Sequence, residues 1–438
     1  MKTTIKKISA LLLILTLLFT SAISMVSCDA GSEKIYPKEV LSENLNSETK
    51  KSLDYVWEYL DRWDFPVFDR TKLKRVEDIY RDEYYKEIPS AYDLAIKVGN
   101  SFVENSYDTI DLKNTQKVTD ALITAFVAAI GDRYSFYRTN EQYDNYTESM
   151  SGSFVGIGVS VKTELSDGCI YVTEPLKNSP AKKAGILAGD LIYKIDGSLV
   201  SELGYTEAVN KIKGKSGTKV VITVKRGDEV IDITVTRARV TELTVDYELD
   251  ENGIGYIDIN SFKDNTDELF KDAIKYMKEN GAKAIIYDVR DNGGGYLDAV
   301  VNMLDYIAKD GITLVSFSNN YGNPKKAKDG SSYSIPTVVL CNGASASAAE
   351  LFTAGLRDIA ATQGFDVTIV GQNTYGKGVM QSTATFLDGS AITLTVAYYN
   401  PPSGVNYDGV GIAPSVTVTG KAAQLDAAYA EANKLIIN

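Results

Sequence analysis

The sequence predicts an α/β protein of several parts: a mixed α/β core, a small and mostly β domain inserted in it or preceding it, and an N-terminal helical region. Three observations carry this. Strand-like and helix-like segments alternate from about 239 to 420. Short runs with period-two alternation and turn residues fill 151–238. Apolar residues return at helical spacing within 49–150. A chain of 438 residues has ample surface to bury in such an arrangement.

In chain order, Lys2, Lys6 and Lys7 form a basic start, and Ile8 to Phe19 is an apolar run short for a membrane span. Small residues and Ser27-Cys28 follow. Residues 1–28 therefore read as an export signal resembling that of bacterial lipoproteins. It predicts an extracytoplasmic protein held at the membrane surface by a lipid on Cys28. Cleavage near Ala22-Ile23-Ser24, releasing a secreted protein, is the rival reading, and a retained anchor the third. Residues 29–48 are polar and suit a tether. In 49–150, Leu53, Val56, Trp57 and Leu60 show helical spacing, as do Val118, Leu122, Ala125, Phe126 and Ala129, with Gly131 as a stop.

Within 151–238, Val159 and Val161 alternate with polar residues. Lys219 to Lys225 and Val230 to Thr236 form a hairpin pattern around Arg226-Gly227-Asp228-Glu229, and Thr206 is placed to cap a short helix through Ile212. Within 239–420, Gly255 to Ile259 reads as a strand, and Thr266 to Glu279 as an amphipathic helix stopped at Asn280-Gly281. Ala284 to Val289 is an apolar strand leading into Arg290-Asp291-Asn292-Gly293-Gly294-Gly295 and a helix. Ile335 to Cys341 is a strand that runs into Asn342-Gly343-Ala344-Ser345-Ala346-Ser347-Ala348-Ala349-Glu350. Residues 421–438 hold a terminal helix, Ala422 to Ile437.

A net charge of −12 argues against nucleic acid as a partner. With no histidine and three cysteines, a zinc site is not expected, and no motif calls for another metal or a cofactor. Cys169 and Cys341 lie in apolar strand-like runs and read as buried free thiols, with a disulfide between them, in an oxidising compartment, as the alternative.

The absence of histidine also excludes a Ser-His-Asp triad within the chain. A serine nucleophile here needs another base, and lysine is the usual replacement. Ser347 sits where a strand gives way to a helix, so unpaired backbone donors and the positive end of the helix dipole surround it. That setting stabilises an oxyanion. The alternative is that Ser345 or Ser347 only caps the helix with support from Glu350. Downstream, Gly376-Lys377-Gly378 places a lysine between two glycines on backbone able to bend tightly.

Together, Ser345-Ala346-Ser347-Ala348-Ala349-Glu350, Tyr375-Gly376-Lys377-Gly378 and Gln381 resemble the signature of C-terminal processing peptidases, a serine peptidase family with a Ser-Lys dyad. Asp288-Val289-Arg290-Asp291-Asn292-Gly293-Gly294-Gly295 is similar to that family's glycine loop. The resemblance implies a crotonase/Clp-protease-like core with Ser347 as nucleophile, Lys377 as general base, Gln381 orienting the lysine, and the N–H groups of Gly294 and Ala348 as oxyanion hole, with Gly295 in reserve. Asp288 and Arg290 read as a structural ion pair. A lysine base must be neutral, a state that burial favours.

The middle domain resembles a PDZ domain through Ser179 to Ile192 and Ile195-Asp196-Gly197. That resemblance implies recognition of a peptide C-terminus as an added strand. Gly156, Ile157 and Gly158 would hold the carboxylate. The partners expected are therefore proteins or peptides with apolar C-termini. Flanking segments of the same family are Gly131-Asp132-Arg133-Tyr134-Ser135 and Gly409 to Pro414. Ala344, Ala349 and Gly293 depart from the family pattern, and the stretch from Ser347 to Lys377 is longer than usual, with the extra residues expected in a surface loop near Ala360 to Asp366. Two rival functions are a non-catalytic peptide- or ligand-binding protein on the same fold, and a crotonase-like acyl-CoA enzyme.

Overall fold

The computed structural model describes residues 132–438 except 167, 177, 319–321, 329–333 and 438, together with 116, 119, 120, 123, 124 and 127. The export signal with Cys28, the tether and most of the N-terminal helical region lie outside the described residues. The chain divides into two compact units. One comprises Met1–Asp144, Thr313–Lys326 and Gly376–Gly411; the other comprises Asn145–Ile312, Ala327–Tyr375 and Ile412–Asn438.

The first unit is built on the long strand Ala391–Asn400, in which Ile392, Leu394, Val396 and Tyr399 are buried. Val379–Thr385 pairs with it antiparallel, and Thr313–Phe317 pairs with its far end. Phe136–Arg138 pairs with Ala391–Thr393. This last strand corrects the reading of 49–150 as helical throughout: Phe136-Tyr137 alternates across a sheet, and the partner strand decides the conformation. Positions 116, 119, 120, 123, 124 and 127 are helical. Thr119, Ile123 and Val127, four residues apart, are its buried line. Because Phe136–Arg138 and Ala391–Asn400 share one sheet and the middle domain lies between them in sequence, that domain is an insertion rather than a preceding module.

The second unit contains the α/β core. Its sheet runs in the order Val245–Leu249, Ile254–Ile259, Ala284–Asp288, Thr337–Cys341, Val367–Gly371, Val416–Thr417, with every pairing parallel except the first. Ala284–Asp288 and Thr337–Cys341 are buried at every residue, as expected of parallel strands covered on both faces. On one face, Tyr287 meets Phe270 and Phe352, ring centroids 5.7 and 5.4 Å away. Those rings fix the helices Thr266–Glu279 and Ala348–Gln363. On the other face, Ala284, Ile286, Val338 and Leu340 pack with Ala428 and Ala432 of the terminal helix Lys421–Ile437.

The helix after the serine segment continues to Gln363 and ends at Gly364, φ 79°. Residues 360–363 are thus its last turn and not the surface loop expected there; Ala360 is buried and holds that turn against the core.

The inserted domain carries its own core of Ile170, Val172, Ile192, Val220, Ile222 and Val224. Its sheet runs Val159–Ser166, Cys169–Pro175, Leu191–Ile195, Lys219–Arg226, Glu229–Thr236. The expected hairpin closes over Gly227-Asp228. The helix placed after Thr206 begins earlier, at Val200, because Val200 is buried; Gly204, at φ 74° and ψ 168°, breaks it, so Thr206 lies just past the kink. Entry and exit strands Ser153–Gly156 and Ala238–Thr241 pair with each other and make a two-stranded stalk. Cys169 and Cys341 are buried and are not joined in a disulfide.

Candidate active site

Three loops of the second unit converge on Ser347. The strand Thr337–Cys341 ends in a turn held by Ser345, whose hydroxyl donates to Val289 O at 2.7 Å and accepts Asn342 N–H at 2.9 Å. Ser345 is fully buried and occupied by this turn. Ser347 has φ 56° and ψ −115°. A capping residue needs only ordinary extended backbone, and a non-glycine residue held in this region costs about 1–3 kcal/mol. The strain is enforced from two sides. Glu350, fully buried, accepts Ser347 N–H at 2.8 Å and Thr374 Oγ1–H at 2.5 Å. Asn292, also fully buried, accepts Ala346 N–H on its backbone oxygen at 2.9 Å and donates from its side chain to Ile259 O at 2.7 Å.

The glycine loop lies directly against this turn. A Cβ on Gly294, φ 101°, would fall 2.8 Å from Ser347 Cβ and 3.0 Å from Ala348 N. Glycine is therefore required for the approach. Gly294 N–H donates to Asn292 Oδ1 at 2.8 Å. Among the described residues, Ala348 N–H and Gly295 N–H donate to no acceptor. Of the two oxyanion donors expected from the sequence, Ala348 is thus open and Gly294 engaged. Asp288 and Arg290 form the expected ion pair, with Tyr256 OH donating to Asp288 at 2.6 Å and Arg290 reaching Lys421 O at 2.7 Å. Its role is to fasten the loop to the terminal helix. The neighbouring Cys341 thiol is no rival nucleophile, since burial pushes it up to about 12.

Lys377 and Gln381 belong to the first unit. Gly376 and Gly378 are both needed for packing: a Cβ on Gly376 would sit 3.0 Å from Gly411 N, and one on Gly378 2.5 Å from Asn406 Oδ1. The strap is fixed by Gly378 N–H to Asp408 at 3.0 Å, Asn406 Nδ2–H to Gly378 O at 3.0 Å and Tyr399 OH to Lys377 O at 3.0 Å. The Lys377 side chain is half-buried, with Nζ 4.6 Å from the centroid of the Tyr134 ring. Gln381 follows a β-bulge at Met380/Gln381, a device that re-aims side chains beside functional sites. Its amide donates to Thr395 Oγ1 at 3.2 Å.

In the inserted domain, Val159–Ser166 is the edge strand of its sheet, and Val200–Ile212 packs beside it. Gly156, Ile157 and Gly158 lead into that strand and are buried. Ile157 N–H and Gly158 N–H donate to no acceptor among the described residues. Their carbonyls accept Ala181 N–H and Leu176 N–H at 2.8 and 3.0 Å. Gly158, at φ 75°, also has no room for a side chain beside Ser179. It therefore meets a packing need while its own N–H stays without an acceptor among the described residues.

Residues 253–418 match peptidase family S41, and residues 155–236 match the PDZ domain family. Over 396 residues the chain is 32% identical to a Staphylococcus aureus (strain N315) protein named "Probable CtpA-like serine protease", covering 87% of this chain and 77% of that protein. The chain belongs to the S41 peptidase family. Over 323 residues it is 35% identical to the carboxy-terminal processing protease CtpA of Bacillus subtilis (strain 168), covering 73% of this chain and 68% of that one. A similar solved structure is the photosystem II D1 C-terminal processing protease, at 24% identity and a TM-score of 0.46, covering 85% and 94%. A PDZ domain and an S41 peptidase fold in one chain are the organisation of the C-terminal processing serine peptidases. Among the described residues no helix is long and apolar enough to cross a membrane.

The sequence assigns no role to Thr374 or Thr395, and it places Asn292 in the glycine loop without showing which segments it holds. Thr374 and Thr395 find their partners at residues 350, 412, 381 and 132, and no local spacing announces such contacts.

Proposed function

We propose that this S41 member cleaves protein chains near their C-termini with Ser347 as nucleophile and Lys377 as general base. The observation that carries the reading is the strained Ser347 at the head of a helix, with Ala348 N–H open and Gly294 against its Cβ. Strain of this kind is retained where it is used. Within the second unit, Tyr375 N–H donates to Ser345 O at 3.0 Å and holds the serine turn.

Neutral Lys377 takes the Ser347 hydroxyl proton as Oγ attacks the scissile carbonyl. The carbonyl electron pair moves onto oxygen and is met by Ala348 N–H and the glycine loop. Gly294 serves if its Asx-turn proton is shared with the oxyanion, and Gly295 offers an open N–H beside it. The C–N bond breaks as the lysine returns its proton to the leaving amine, and water then releases the acyl group by the same route. Gln381 orients the lysine.

The PDZ domain selects the substrate. A free C-terminal carboxylate accepts from Ile157 and Gly158 N–H, while the peptide adds as a strand to Val159–Ser166 and an apolar terminal side chain enters the adjoining groove. The mature protein is held at the outer face of the membrane by a lipid on Cys28. The test is mass spectrometry of products from a denatured protein substrate. New fragments lacking C-terminal segments are expected with wild type and none with Ser347→Ala; cleavage spread evenly along the chain would contradict tail-directed processing.

A further inference from the structure

We infer that the turn Asp132-Arg133-Tyr134-Ser135 is the positioning device of the catalytic lysine, with the face of Tyr134 as the bed for the end of its side chain and Thr395 as the post that holds Gln381. The inference rests on the reading of Lys377 as base.

The turn closes on itself through Ser135 N–H to Asp132 O at 3.3 Å and Ser135 Oγ–H to Asp132 Oδ2 at 2.6 Å. It is then tied to the central strand of its sheet. Thr395 Oγ1–H donates to the same Asp132 oxygen at 2.7 Å, and Thr395 N–H donates to Ser135 Oγ at 3.1 Å. Thr395 is fully buried, and Ser135 and Tyr134 are nearly so. With its proton committed to Asp132, Thr395 Oγ1 has a lone pair for one more donor, and Gln381 Nε2–H supplies it at 3.2 Å. The order Asp132, Thr395, Gln381 is thus fixed by donor and acceptor roles, and the turn that starts it also presents the ring on which Lys377 Nζ lies at 4.6 Å.

A lysine side chain has many rotamers, and ordering it costs rate unless something holds it beforehand. The ring face packs under the end of the lysine side chain and limits its rotamers whether or not the amine is protonated, and Arg133 lies 4.6 Å from the same centroid, so the ring is gripped by its own turn as well. The phenol hydroxyl plays no part in this contact. The face does, which separates two substitutions at one position. Tyr134→Phe keeps the face; Tyr134→Leu removes it.

The experiment compares full-length wild type, Tyr134→Phe, Tyr134→Leu, Thr395→Ser, Thr395→Val and Lys377→Ala on a peptide with a free apolar C-terminus, with melting temperatures alongside. Tyr134→Leu and Thr395→Val should each lower kcat at least about tenfold with KM within about twofold, because only the base is misplaced. Tyr134→Phe and Thr395→Ser should stay within about twofold of wild type in both constants. Equal losses in Phe and Leu, or wild-type kcat in folded Tyr134→Leu, overturn the inference while an inactive Lys377→Ala leaves the dyad standing. An active Lys377→Ala removes the dyad itself. If Tyr134→Leu does not fold, the Thr395→Val and Thr395→Ser pair decides, and equal kcat in those two overturns the inference.

Discussion

Gly294 is the residue at which chemistry and packing are least separable. Its missing side chain is what lets the glycine loop touch Ser347 Cβ and Ala348 N, and its positive φ is one that larger residues avoid. A methyl group there would push the loop off the serine turn or displace the turn itself. Gly294→Ala should therefore lower kcat by about 10²–10³, the loss typical of a damaged oxyanion site. Circular dichroism should show native secondary structure. Kinetics with a peptide substrate check it, and a variant within a few fold of wild type would mean that the loop tolerates displacement. Asn292 makes the same point from another side, since its backbone oxygen, side-chain oxygen and amide each hold a different segment of the site.

At the scale of elements, the parallel strands Ile254–Ile259 and Ala284–Asp288 end side by side at Asp258 and Asp288. Arg290 neutralises Asp288 directly. Asp258 has no such partner among the described residues; burial, and then the Asp288 carboxylate, push it up to about 6. A folded-state pKa above the unfolded value means that the native protein holds this proton more tightly. Stability from this group is then present at acid pH and lost as pH rises through about 6. Asp258→Asn should raise stability above that pH by about 1 kcal/mol, after allowance for partial solvent screening, and change little near pH 4. Urea unfolding at several pH values measures it; an equal effect at acid and neutral pH would contradict the assignment.

The same elements show what was legible beforehand. The helix Thr266–Glu279 and the hairpin over Gly227-Asp228 were readable because their periodicity and turn residues are local. Phe136–Arg138 was not, because its strand character comes from pairing with residues 391–393. Nor was the turn at 360–363, where burial of Ala360 rather than composition keeps the helix going. In the site, Ser347 and the glycine loop were found as motifs, whereas Thr374 and Thr395 act through contacts distant in sequence.

At the scale of the whole molecule, recognition and chemistry are assigned to different parts of one chain. The PDZ reading requires charge-assisted bonds from Ile157 and Gly158 N–H to a carboxylate, which exceed neutral ones in strength. A peptide with a free apolar C-terminus should be cleaved several-fold faster than its amide at non-saturating concentration, a difference of about 1 kcal/mol or more. Equal rates would show that the domain does not read the tail. The anchor reading places the mature protein on the membrane, so Cys28→Ala should move it to the soluble fraction or block its processing; unchanged membrane association with normal processing would point away from a lipid on Cys28.

The central claim is that Ser347 and Lys377 form one proton-transfer unit in a chain without histidine. The most direct measurement is kcat on a denatured protein substrate for Ser347→Ala, Lys377→Ala and the double variant, each verified as folded. The account predicts that each single variant loses cleavage to background and that the double variant loses no more, because residues acting as a unit do not contribute additively. Substantial cleavage by folded Lys377→Ala, or losses that add in the double variant, would contradict it.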